Sequence, residues 1–64
     1  MTKIRLGGCV FITRVSDHPP RHVHVLRDGR LVTEWDLERG KPLAGRPSRR
    51  VVEMIRRLQK EGRL

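Results

Sequence analysis

The chain has 64 residues, 36% of them hydrophobic, with only two aromatics, Phe11 and Trp35. That length allows one domain with a small core, since a chain this short buries only about 60% of the surface it exposes when unfolded. A lone cysteine, Cys9, excludes an internal disulfide, which leaves a metal or self-association as the usual reinforcement. No apolar run approaches the roughly 20 residues of a membrane span, and one thiol without a signal-peptide pattern points to a reducing cytoplasm.

Residues 2–6 alternate polar and apolar, as a half-buried strand does, and Gly7-Gly8 is a turn or bulge signal. Residues 9–15 are β-branched-rich and predict a second strand. Asp17-His18-Pro19-Pro20 is loop, because proline fixes φ and offers no amide donor. A third strand is expected over 22–27 and a fourth over 30–37, joined by Asp28-Gly29 in a two-residue type I′ turn. Residues 38–47 hold two glycines and two prolines and are expected to be a connection. Pro47-Ser48 opens a helix over 49–61, and Gly62 closes it. Its stripe of Val51, Met54, Ile55 and Leu58 faces the core, and Glu53 is placed to pair with Arg56 or Arg57. The expected fold is α+β: a single domain over 1–64 with an antiparallel sheet of about four strands and one C-terminal amphipathic helix.

A two-residue turn at Asp28-Gly29 also predicts a register, with Leu26 facing Leu31, His24 facing Thr33 and His22 facing Trp35. One sheet face then carries His22, His24, Leu26, Leu31, Thr33, Trp35 and Leu37. The other carries Val23, Val25, Val32, Glu34 and Asp36, which separates both carboxylates from the histidines. Trp35 is the expected core anchor, its indole N–H served by a histidine across the strand pair. One helix covers one face, and the uncovered face suits a second copy or another protein.

The fifteen basic and seven acidic side chains give +8, and twelve of the fifteen are arginine. Residues 39–64 carry nine of the basic and two of the acidic groups. Arg46, Arg49, Arg50, Arg56, Arg57 and Lys60 form a one-sided basic segment that fits a phosphate backbone, with Ser48 and the helix N-terminus adding amide donors. With two aromatics and no tyrosine, contact would run through phosphates and not through base stacking.

All three histidines, His18, His22 and His24, fall within seven residues. His22 and His24 alternate on a strand, so their rings point the same way. That placement admits partly buried structural histidines beside Trp35, acid–base chemistry with Arg21 on a phosphate, or metal ligation by His18, His22 and His24, with Cys9 as another donor. Cys9 otherwise reads as a small buried hydrophobe. No cofactor is called for.

Residues 17–25, Asp-His-Pro-Pro-Arg-His-Val-His-Val, followed by Asp28-Gly29 and Trp35-Asp36-Leu37, resemble a family of small bacterial proteins filed as domain of unknown function 4160. The similarity runs from about residue 3 to the C-terminal helix. Arg21 stands where proline is usual in that family, and Val23 where an aromatic residue is usual. The resemblance implies a short protein paired with a neighbouring gene product, in the manner of toxin–antitoxin modules, with an RNA target. The sequence thus leads to a small basic module that binds RNA or DNA through its helix. Two alternatives stand beside it: a metal-independent ribonuclease using His22, His24 and Arg21, and a histidine-metal-assembled or protein-binding module.

Overall fold

A computed structural model describes residues 2–14 and 21–64. Among them, five strands form one antiparallel sheet in chain order: β1 (Thr2–Leu6), β2 (Cys9–Thr13), β3 (His22–Arg27), β4 (Arg30–Asp36) and β5 (Lys41–Gly45). Helix α1 (Arg49–Lys60) packs across one face. The α+β class is as expected, with five strands in place of about four. The diproline loop with Asp17 and His18 lies outside the described residues, as does Val15 at the end of the expected second strand.

The Asp28-Gly29 turn forms as predicted, and Gly7-Gly8 is a turn and not a bulge. Gly7 and Gly8 have φ of 58° and 80°, and Asp28 and Gly29 have 53° and 75°. Positive φ at both central residues is the requirement of a type I′ turn, whose twist matches that of the flanking strands.

The core is a row of cross-strand neighbours. Ile4 pairs with Phe11, Phe11 with Val25, and Val25 with Thr33, all buried. Val51, Ile55 and Leu58 close over this row from α1, with Met54 partly buried beside them. Phe11 and Ile55 are fully buried, and each such side chain contributes about 1.5–3 kcal/mol.

The register of β3 against β4 departs from expectation. Leu26 faces Leu31, as the turn dictates, but Val25 faces Thr33, His24 faces Glu34, Val23 faces Trp35 and His22 faces Asp36. Val32 is therefore an extra residue in β4, a bulge that slips the alternation by one. Val32 stays on the side of Val23 and Val25, and Thr33 and Trp35 move to that helix-covered side as well. Glu34 moves to the opposite face, with the histidines. Trp35 anchors the core as expected, but its indole N–H has no hydrogen-bond partner among the described residues, and the histidines lie across the sheet from it.

The connection expected over 38–47 contains β5. Its sequence, Lys-Pro-Leu-Ala-Gly, lacks strand signals, and only Ala44 is even half-buried. An edge strand tolerates this, since proline's missing donor costs nothing on an unpaired side. Thr33 Oγ1 donates to the Ala44 carbonyl at 2.7 Å. Gly45 sits opposite Thr33 with φ of 79°, where a Cβ would lie 2.3 Å from the Val32 carbonyl oxygen. Before β5, Asp36 ends β4 two residues after Glu34. Its Oδ1 accepts the amides of Glu38 and Arg39, both at 2.9 Å, and its carbonyl accepts that of Gly40. This turn begins at Leu37, which was expected to close the strand.

Helix α1 begins and ends on the predicted signals. The Ser48 side chain accepts the Val51 amide at 3.3 Å. Gly62 takes φ of 73°, and the amides of Gly62 and Arg63 reach the carbonyls of Gln59 and Leu58, the paired bonds of a Schellman cap. No helix among the described residues is long and apolar enough to cross a membrane.

Candidate functional site

Two groups of side chains stand out, and the sheet separates them. On the face away from α1, alternation and register place Lys3, Ile12, His24, Glu34 and Ala44 in one row across the strands. A parallel row holds Arg5, Val10, Leu26 and Leu31. His22 lies two residues from His24 on the same face.

His22, His24 and Glu34 converge. Glu34 Oε1 is 3.4 Å from His22 Nε2 and 3.2 Å from His24 Nε2. The imidazoles meet edge to face, with centroids 5.1 Å apart and planes at 72°. Side-chain exposures of 14%, 27% and 30% leave all three partly dehydrated yet reachable. Glu34 was expected on the opposite face. It joins the histidines because of Val32, and a β-branched valine next to leucine carries no sequence mark of a bulge.

The other expected members of this group are elsewhere. Cys9 is buried in the helix-side core, with the sheet between it and the histidines, so it is no ligand partner for them. His18 lies outside the described residues. Arg21 is exposed just before β3, where its backbone is tied down: its amide donates to Glu38 Oε2 at 2.6 Å and its carbonyl accepts the Leu37 amide at 2.9 Å. Asp36 pairs with His22 in register, but its Oδ1 is taken by the 37–40 turn, and its buried Oδ2, 4.0 Å from Arg39 Nε, has no hydrogen-bond partner among the described residues.

The second group is the outer side of α1. Arg46, Arg49, Arg50, Arg56, Arg57 and Lys60 are all exposed. Glu53 pairs with Arg49 at 3.3 Å, not with Arg56 or Arg57, and Glu61 takes Arg57 at 3.3 Å. Arg46, Arg50, Arg56 and Lys60 have no acidic partner among the described residues. Ser48 spends its hydroxyl oxygen on the helix cap.

The chain matches no protein-family model, no curated protein and no solved structure.

Proposed function

We propose that this chain is a small basic binding module, one member of a toxin–antitoxin-like bacterial pair, that holds RNA or DNA by its phosphates through the outer face of α1. The observation that carries the reading is the division of labour on the helix. Val51, Ile55 and Leu58 fasten it to the sheet, while Arg50, Arg56 and Lys60 face solvent without acidic partners among the described residues. The pairs at Arg49 and Arg57 do not block the face. Exposed i,i+4 ion pairs are worth about 0.3–0.5 kcal/mol, less than a charge-assisted bond to phosphate. The paired gene product and the cytoplasmic setting rest on the resemblance and on cysteine usage.

The ribonuclease reading has weaker support. In-line transfer needs base and acid on opposite sides of the phosphate, with each in reach of its own oxygen. Here both Nε2 atoms point at one carboxylate oxygen, and the basic helix lies on the other side of the sheet. A nucleic acid lying along α1 would not also reach His22 and His24.

Fluorescence anisotropy with labelled single-stranded RNA and duplex DNA at two salt concentrations tests the proposal, with gels of the same samples reporting integrity. The expected result is intact nucleic acid bound with a log–log salt slope of about −2 to −5, for three to five phosphates at 0.7–0.9 each. No binding at low salt would overturn it, and cleavage lost in His22→Ala and His24→Ala would replace it with the enzyme reading.

A further inference from the structure

We infer that His22, His24 and Glu34 form a binding site for a divalent transition-metal ion, zinc in the first instance, on the sheet face opposite α1. Two imidazole nitrogens and one carboxylate oxygen are a set that first-row ions such as zinc, nickel and copper take, whereas magnesium and calcium prefer oxygen alone.

Geometry carries it further. Zinc bonds to nitrogen and oxygen at about 2.0–2.2 Å, so neighbouring ligands of a tetrahedral ion stand about 3.3–3.5 Å apart. The two distances from Glu34 Oε1 to the imidazole Nε2 atoms are 3.4 and 3.2 Å, and donor atoms of all three residues lie within 4.8 Å of one another. Little movement would seat an ion between them. The near-perpendicular rings let both nitrogens aim at one point without stacking.

The site is also built, and not a chance meeting of surface side chains. Its glutamate reaches the histidine face only through the Val32 bulge. The strands hold the three Cα atoms in register, and Ile12 stands opposite His24 on the next strand. Three protein ligands leave a tetrahedral ion one open position, the pattern of sites that bind water or an outside donor. A metal on β3 and β4 would join two strands of a chain that has no disulfide, a reinforcement that small domains use.

The test needs no nucleic acid and so stands apart from the proposal for α1. Chelator-treated, tag-free protein is titrated with zinc chloride by calorimetry, with magnesium chloride as comparison, and Co²⁺ is added to a second sample to read its visible spectrum. The expected result is one zinc per chain with Kd below about 10 µM, a higher Tm, no response to magnesium and intense tetrahedral Co²⁺ bands. Glu34→Gln keeps shape and removes the anionic ligand. It should weaken zinc at least about tenfold and abolish the bands while leaving the far-UV dichroism unchanged, and His24→Ala should do the same. Absence of zinc binding at about 100 µM would overturn the inference. So would binding that Glu34→Gln and His24→Ala leave unchanged, which would place the ion elsewhere.

Discussion

His24 on β3 and Glu34 on β4 face each other with Nε2 and Oε1 3.2 Å apart, and one extra residue, Val32, puts them there. The bulge simultaneously sends Trp35 into the core. Deleting Val32 would close the bulge and leave Leu31 followed directly by Thr33, so that Thr33, Glu34 and Trp35 keep their partners Val25, His24 and Val23. Trp35 is therefore expected to stay buried and unfolding in urea to stay cooperative, both seen by tryptophan fluorescence, with the lost packing of one part-buried valine as the cost. A folded deletion variant with the emission of an exposed indole would contradict this pairing.

Gly45 lies against that bulge. With φ of 79° and the Val32 carbonyl oxygen 2.3 Å from a Cβ, alanine at 45 must shift backbone on both strands. Gly45→Ala is expected to cost about 2–3 kcal/mol, measured by chemical denaturation. Gly29→Ala adds a Cβ in open space at a similar φ, and so reports the strain of the positive φ without the clash.

The edge strand hangs on Thr33. Its hydroxyl is fully buried and donates to the Ala44 carbonyl. Thr33→Val removes that bond at nearly constant shape and should cost about 1 kcal/mol. Hydrogen exchange should rise first at residues 41–45, and unchanged protection there would mean that backbone pairing alone holds β5.

How much of this was legible in the sequence depends on what each residue is asked to do. Alternation over 2–6 and 22–27, the Asp28-Gly29 turn, the Ser48 cap and the Gly62 stop each encode local geometry in local chemistry, and the structure has them. The helix stripe was legible for the same reason. Strand β5 was not: Pro42 and Gly45 punctuate it, and its only reason to be a strand is β4 alongside. The histidine pair was visible as a spacing, but its carboxylate was not. A bulge is decided by packing, here by Val32 and Trp35 both finding the core, and no turn residue announces it. Position on the sheet then followed wrongly for every residue from Thr33 to Asp36, and Leu37 left the strand for the turn.

Charge changes on α1 should separate binding from folding. Arg56→Glu with Lys60→Glu touches no core residue, so stability should stay within about 0.5 kcal/mol per site. Nucleic-acid affinity should fall across sequences and the salt slope should flatten by about 1 to 2. Ile55→Ala, in the same helix but fully buried, should instead cost about 2–5 kcal/mol. A double charge reversal that leaves affinity and slope unchanged would mean that α1 is a solvated face.

The most direct measurement is an amide and imidazole NMR titration of isotope-labelled protein with a short single-stranded RNA and, separately, a DNA duplex. Shift changes are expected to concentrate over residues 46–60, with the His22 and His24 ring signals unmoved, because the sheet lies between them and the bound phosphates. Shifts centred on His22, His24 and Glu34, with α1 silent, would contradict it and make the histidine face the nucleic-acid site.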